Sequence, residues 1–547
     1  MTLHKDFEWF KHKTVYQIWP RSFCDSNGDG IGDIQGIISK LPYLEQLGIE
    51  VIWLSPVYKS PMDDMGYDIA DYFNIDPLFG SNADMDELIA TAKAWNISIV
   101  MDLVVNHTSD EHPWFIEARK GRDNPYRDYY IWHDPVDGGT PTTQRSFFLP
   151  SAWSLDSVSG QYYYHAFSNR QPDLNWENPQ ILEEVYKIMN FWLAKGIAGF
   201  RMDVIELIGK IPLESKFTSP RVHELLKLIF KHTLANYEQT ISVGETGGAS
   251  VADAILYSGN HDELDMVFGF EHMAQDEVAG KSKWHLKPLH LPDFKRVFKK
   301  WQNGLYQKGW NSLFLANHDQ PRPVSRWGCN GKYRIQSAKM LANTLHFMQG
   351  TPYIYQGEEI GMTNYQFTSI DEFRDIEMIN FYQEYVNDAA WGKDRVMQSI
   401  NAKGRDNART PVQWTDGDYA GFSTVKPWIV LNSNYKQINV ANDLNNPDSI
   451  WHFYQKLIKL RKELAIILHG DFNLLDEDNL YIFAYVRSYQ EQKLYVISNF
   501  SPNEQSFNLN TDLNNAHLLT TNYNRQLLPQ NGMFLLQPFE TLAFLLS

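Results

Sequence analysis

Gly199-Phe-Arg-Met-Asp203 is the stretch on which the fold turns. In an extended strand, side chains two positions apart leave the same face, so Arg201 sets a cation beside the Asp203 carboxylate. Two later segments follow the same pattern: Val243-Gly-Glu245 and Asn317-His-Asp319 each end a short apolar run with an acid. The gaps between these acids correspond to roughly one and two strand-plus-helix units of about 30 to 45 residues. A barrel of parallel strands brings all three carboxylates to one rim.

The rest of the chain is read outward from that frame. Short apolar runs alternate with longer amphipathic stretches, which is how a parallel α/β architecture appears in sequence. Val15–Trp19, Val51–Leu54, Ile99–Val105, Ala198–Asp203, Ile241–Glu245, Leu264–Phe268, Ser312–Ala316 and Tyr353–Gln356 make eight candidate strands, the number that closes a (β/α)8 TIM barrel. Residues 107–176, rich in Pro, Gly, Asp, Tyr and Trp, lack helical periodicity and read as a subdomain inserted after strand 3. Near residue 470 the pattern changes to alternating strands with turns, as in Leu480–Val486 and Lys493–Ser498, predicting a C-terminal antiparallel β domain. The expected division is a barrel of 1–106 and 177–470, an insertion of 107–176 and a C-terminal domain of 471–547.

At 547 residues the chain exceeds what one core supports, so several domains are expected. The formal net charge of −17 argues against nucleic acid, whose binding needs clustered Lys and Arg. A neutral small molecule fits better, and 17 tryptophans supply flat faces suited to sugar rings. Cys24 and Cys329 give no disulfide framework. The N-terminus lacks the apolar core of a signal peptide, and no run of about 18 apolar residues predicts a membrane helix. A monomeric cytoplasmic protein with no membrane partner is expected.

Cleaving a glycosidic bond with retention takes a carboxylate nucleophile and a protonated acid about 5 to 5.5 Å apart. Asp203 fits the nucleophile, because Arg201 would hold it ionised. Glu245, after Gly244 at an apolar strand end, is expected to keep its proton through desolvation. Asp319 would grip sugar hydroxyls in the transition state. No cofactor is needed for this chemistry.

The chain resembles the α-amylase superfamily of glycoside hydrolases, most of all its oligo-1,6-glucosidase and dextran glucosidase branch. The resemblance is carried by Val15-Tyr-Gln-Ile-Trp-Pro20, Asp102-Leu-Val-Val-Asn-His107, GFRMD, VGE, NHDQPR and GRDNARTPVQW, which together span nearly the whole sequence. It implies a (β/α)8 barrel with a B subdomain after strand 3 and a β-sandwich C domain, and the same three acid roles. It further implies that Asp64 and Tyr67, in DDMGYD, line the terminal-glucose subsite, and that His107, Arg201 and His318 bind its hydroxyls. Arg405 would help Asp64 close the pocket, making the enzyme exo-acting; the alternative is an ordinary loop ion pair. Val204 matches enzymes preferring α-1,6 bonds. After the acid, Thr246-Gly247-Gly248-Ala249 lacks the Trp of relatives that act on long dextrans, which favours short isomalto-oligosaccharides.

Asp25-Ser-Asn-Gly-Asp-Gly-Ile-Gly-Asp33 places oxygen donors at alternate positions, like the first part of an EF-hand loop, but Gly36 stands where the closing Glu belongs. Similar glucosidases hold a structural Ca2+ or Mg2+ here, which implies Asp25, Asn27, Asp29, the Ile31 carbonyl and Asp33 as ligands. Competing substrates on the same fold are trehalose 6-phosphate, sucrose (by isomerisation) and α-1,4-glucosides. A catalytically inactive binding subunit, like a transporter heavy-chain ectodomain, is opposed by the complete set of acids.

Overall fold

The computed structural model describes residues 5–525 and 528–546; the outermost residues of the expected first and last domains lie outside that range. All eight expected strands form, as β1 (Val15–Ile18), β2 (Val51–Leu54), β3 (Ser98–Leu103), β4 (Gly199–Met202), β5 (Ile241–Thr246), β6 (Met266–Gly269), β7 (Ser312–Leu313) and β8 (Thr351–Tyr355). They pair in parallel in the order β6-β5-β4-β3-β2-β1-β8-β7. A parallel bridge from Val267 to Asn311 joins β6 to β7 and closes the cylinder. Most strand residues are buried on both faces, which is why these segments read as apolar runs rather than as alternating ones.

Strand β7 is shorter than the apolar run Ser312–Ala316 predicts. The Phe314 carbonyl accepts from His272 Nε2 at 2.9 Å instead of extending the ladder, so the chain leaves the sheet before it reaches Asn317.

Local signals explain the helices that return the chain between strands. The helix Pro179–Lys195 starts where the Asn178 side chain accepts from Gln180 N–H, with Pro179 in its first turn, and ends at Gly196 with φ 102°. Its buried face, Ile181, Val185, Ile188, Met189, Trp192 and Leu193, follows the helical period and packs on the barrel. Three residues after that glycine the chain enters β4.

Between β3 and that helix lies a three-stranded antiparallel sheet of Trp132–His133, Tyr162–Tyr164 and Trp153–Leu155. The antiparallel bridge His107–Asp173 pins its base to the barrel rim. Beyond the last barrel helices, five strands form an antiparallel sheet, and Gln505–Asn508 pairs with Met533–Leu536 against it. Ile497, Phe507, Phe534, Leu536 and Phe544 fill the space between the two sheets, which makes this unit a β-sandwich.

Gly199 begins β4 with φ 130°, and a Cβ there would lie 1.9 Å from the Ile241 carbonyl oxygen of β5. The register that delivers Asp203 beside Glu245 therefore needs glycine. Gly199→Ala is expected to lower stability by about 3 kcal/mol or more, read as a shift of the denaturation midpoint; an unchanged midpoint would show that the strand pair tolerates the clash.

Candidate active site

The C-terminal ends of β3, β4 and β5 place Asp102, Arg201, Asp203 and Glu245 together. Arg201, 1 % exposed, holds all three acids. Its Nη1 donates to Asp102 Oδ1 at 2.8 Å and to Asp203 Oδ1 at 2.6 Å, and its Nη2 lies 2.6 Å from Glu245 Oε2. The sequence reading gave Arg201 to Asp203 alone. In the structure one guanidinium serves three carboxylates, and it contacts Asp203 and Glu245 equally closely. Burial, with Glu245 and Asp102 nearby, pushes Asp203 well above the usual carboxylate range against the pull of Arg201. The shift of Asp203 runs opposite to the expectation that Arg201 would hold it ionised, because burial and the neighbouring acids outweigh the guanidinium.

Glu245 takes both of its donors on one oxygen. Besides Arg201, the Val204 N–H donates to Oε2 at 3.0 Å, which leaves Oε1 free. Val204 adopts φ 35°, ψ 42°, a left-handed conformation that a β-branched residue enters at a cost of order 1–3 kcal/mol. That turn aims its N–H at Glu245 and its side chain into the cavity wall.

Asp319 lies past the end of β7, with Oδ1 accepting from Arg409 Nη2 at 2.9 Å and from Arg405 Nη1 at 3.3 Å. His318 Nε2 stands 3.2 Å from Oδ2. Burial alone would raise Asp319, but the surrounding cations outweigh it and hold the group well below the carboxylate range. His318 is itself kept neutral, at about 3, by burial, so at neutral pH Arg405, Arg409 and Arg201 supply that effect. The Gln17 amide contacts His318 Nδ1 at 2.8 Å; with the amide nitrogen donating, the imidazole proton is assigned to Nε2, facing Asp319. Tyr67 stacks on His318 with centroids 5.2 Å apart, and Trp19 does so at 5.3 Å, so the floor of the cavity is a flat aromatic tier.

Asp64 and Arg405 form a buried pair rather than a loop contact, since Arg405 Nη2 donates to Asp64 Oδ1 at 3.0 Å with both residues under a tenth exposed. Burial pushes Asp64 up to about 7 despite Arg405. His107 is held neutral, at about 4, by burial, and its Nε2 lies 2.9 Å from the Tyr67 carbonyl. Asp64, Tyr67, His107, Asp203, Val204, Glu245, Asp319 and Arg405 thus share the wall of one cavity of 220 Å3, with Arg201 and His318 buried directly behind it.

Several wall residues carry no signal in the sequence reading. Phe147, Phe148 and Phe167 of the inserted segment cover the cavity, and Arg405 lies over the Phe148 ring at 5.2 Å. Asp102 and Arg409 were legible in principle: the first is a lone acid inside an apolar strand, and the second follows Arg405 by one helical turn. Asp375 and Glu377 have no local pattern at all.

The loop Asp25–Asp33 lies apart from the cavity. Asp25 accepts from the N–H groups of Asn27, Gly28 and Gly30, Asn27 from Asp29 N–H, and Asp29 from Ile31 N–H. The donor set of Asp25, Asn27, Asp29 and the Ile31 carbonyl is all oxygen, which fits a hard cation. Asp33 is engaged differently: it caps the helix Ile34–Ser39 through Gly36 N–H at 2.6 Å and binds Ser26. Among the described residues no three His, Cys, Asp or Glu side chains converge as a metal site, so a cation here would rest on two carboxylates, an amide oxygen and a carbonyl.

Comparison with known proteins matches residues 17–470 to the α-amylase catalytic domain and residues 482–542 to the C-terminal domain of the α-amylase SusG. The chain is 51 % identical over 555 residues to the oligo-1,6-glucosidase of Parageobacillus thermoglucosidasius, covering 98 % of each chain. It is 52 % identical over 502 residues to the glucan 1,6-alpha-glucosidase of Streptococcus pneumoniae serotype 4, covering 91 % of this chain and 92 % of that one. The crystal structure of Bacillus licheniformis trehalose-6-phosphate hydrolase superposes with a TM-score of 0.93 at 45 % identity, over 98 % of this chain and 100 % of that one. With this fold, these acids on its rim and relatives of this similarity, the chain belongs to the α-amylase family of glycoside hydrolases.

Proposed function

We propose that the protein is a retaining, exo-acting α-glucosidase that releases terminal α-1,6-linked glucose from isomaltose and short isomalto-oligosaccharides. The observation that carries this reading is the buried Arg405–Asp64 pair, which lines the cavity together with Asp203, Glu245 and Asp319; in this reading it closes the end that takes the terminal glucose. The α-1,6 linkage follows the two relatives named for it.

In this reading Asp203 attacks the anomeric carbon through Oδ2, the oxygen that Arg201 leaves free. Glu245 gives a proton from Oε1 to the glycosidic oxygen as that bond breaks. Water then enters, Glu245 takes its proton, and the new hydroxyl displaces Asp203 from the glucosyl ester. Asp319, held ionised by its arginines, strengthens its grip on the ring hydroxyls as positive charge develops. His107 and His318, neutral and buried, supply hydrogen bonds without adding charge, and Tyr67 supplies the stacking face.

Two features support a short, neutral aglycone. Lys283, Lys300 and Lys403, which line the cavity and its mouth, are each paired, with Glu377 at 2.6 Å, Glu271 at 2.9 Å and Glu277 at 2.7 Å. Among the described residues of that mouth no lysine is left free to read a phosphate. Gly247 is exposed, and a Cβ there would meet only Glu206 Oε1, at 3.6 Å; packing does not require glycine, and the aromatic platform for long chains is missing.

We propose also that a structural Ca2+ or Mg2+ binds in the loop Asp25–Asp33 through Asp25, Asn27, Asp29 and the Ile31 carbonyl, with Asp33 as helix cap. The protein is proposed to act as a monomer in the cytoplasm. One chain supplies the whole cavity, its two cysteines are free, and among the described residues no helix is long and apolar enough to cross a membrane.

The reading is tested by glucose release from isomaltose, panose, maltose, sucrose, dextran and trehalose 6-phosphate, compared as kcat/KM. Isomaltose and panose are expected to lead, and a preference for trehalose 6-phosphate would overturn the substrate. Asp203→Asn and Glu245→Gln should each remain folded and lose activity by at least about 10^3-fold; activity surviving in both would mean that another pair does the chemistry. Val204→Ala or Val204→Thr should raise maltose hydrolysis relative to isomaltose by about tenfold, and an unchanged ratio would remove Val204 from linkage selection. Chelation should lower Tm. If Tm stays put and elemental analysis finds neither Ca nor Mg, the ion proposal is lost.

A further inference from the structure

Asp375 lies outside the catalytic cavity, 0 % exposed, yet it completes a closed ring of charges around it. Its Oδ2 is 2.6 Å from Arg405 Nη2 and 2.6 Å from Arg409 Nη1. The other ends of both guanidiniums meet again on Asp319 Oδ1, at 3.3 and 2.9 Å. Asp319, Arg405, Asp375 and Arg409 thus alternate in sign around a loop whose formal charge is zero. Without Asp375 the two guanidiniums would share only Asp319, whose Oδ1 already bridges them, with Asp64 paired to Arg405 alone.

The second oxygen of Asp375 does a different task. Oδ1 accepts from the N–H groups of Glu377 at 2.9 Å and Met378 at 3.4 Å, capping the helix Ile376–Tyr385. That helix carries Glu377, which pairs with Lys283 Nζ at 2.6 Å on the cavity wall. The latch is reciprocal, because Asp406, next to Arg405, accepts from Arg374 N–H at 2.7 Å and Asp375 N–H at 3.1 Å.

We propose that Asp375 is a positioning residue for the glucosidase reaction, which holds Arg405 and Arg409 so that Asp319 faces the substrate and ties the Lys283–Glu377 pair to the same point. It touches no substrate itself. The inference rests on the reading of Asp319 as the group that strengthens its contacts in the transition state.

Asp375→Asn is nearly isosteric but cannot satisfy both roles. An amide oxygen on the helix N-terminus turns an NH2 donor toward two guanidinium donors, and the flipped amide leaves the helix uncapped. Loss is expected mainly in kcat on isomaltose, by about 10^2-fold, with KM changing much less. Asp375→Glu, which keeps the charge but not the shape, should recover part of that loss, whereas a purely structural residue would tolerate Asn better than Glu. In the pair Asp375→Asn with Arg409→Gln, the double variant should cost little more than Arg409→Gln alone, because both break one ring; additive losses would overturn the proposal. So would Asp375→Asn within threefold of the parent, or a loss confined to KM. Asp375→Ser keeps a helix cap without the carboxylate and is read on the same scale should Asn fail to fold; if neither folds, Asp375 is a folding element and the proposal fails. Asp319→Asn is the control. An active Asp319→Asn would sink the reading of Asp319, while an inactive one beside an active Asp375→Asn would sink only the inference about Asp375.

Discussion

One buried guanidinium organises this site. Arg201 is surrounded by Asp102, Asp203 and Glu245, and a lone arginine in the interior would be too costly without those acids. The reverse holds as well: three carboxylates at one barrel rim repel one another, and only a shared cation lets them approach. At Asp203 burial and the neighbouring acids outweigh that cation, and its carboxyl is raised well above the usual range.

The Asp319 side of the cavity solves the opposite problem. Its acid is buried, and the cations around it nevertheless hold it below the usual carboxylate range. Two adjacent guanidiniums in turn require a second carboxylate, and Asp375 is placed where it meets both. The two halves of the site therefore differ in charge balance for a physical reason. Around Arg201 three acids share one cation, and around Asp319 two cations are matched by two acids, with Asp64 as a further partner of Arg405. In the first arrangement Asp203 is raised, and in the second Asp319 is lowered.

The walls of the cavity stand apart from this electrostatic frame. The inserted segment contributes a phenylalanine cover of Phe147, Phe148 and Phe167. The opposite lip, at Gly247 and Gly248, is bare backbone, with the Gly248 N–H held by Glu206 Oε1 at 3.0 Å. Between them stands Val204, strained into a left-handed turn. Its N–H donates to Glu245 Oε2 while its side chain lines the cavity, so one residue links the acid's orientation to the shape of the wall.

The barrel and the three acids were legible in the sequence because each depends on local pattern: apolar runs of strand length, three of them followed by an acid. The Asp64–Arg405 contact and the roles of Tyr67, His107 and His318 came only through resemblance, since partners so distant along the chain leave no periodic trace. What the tertiary structure alone decided was how charge is shared. Sequence put Arg201 beside Asp203 because they are two apart on one strand, and could not show that β3 and β5 bring Asp102 and Glu245 to the same guanidinium. Asp33 looked like one more oxygen donor, and became a helix cap because the next residue begins a helix. Asp375 had no motif to announce it. Its place between two arginines exists only once the segments around 375 and 405–409 are packed together, because Coulomb energy depends on distance in space and not on distance along the chain.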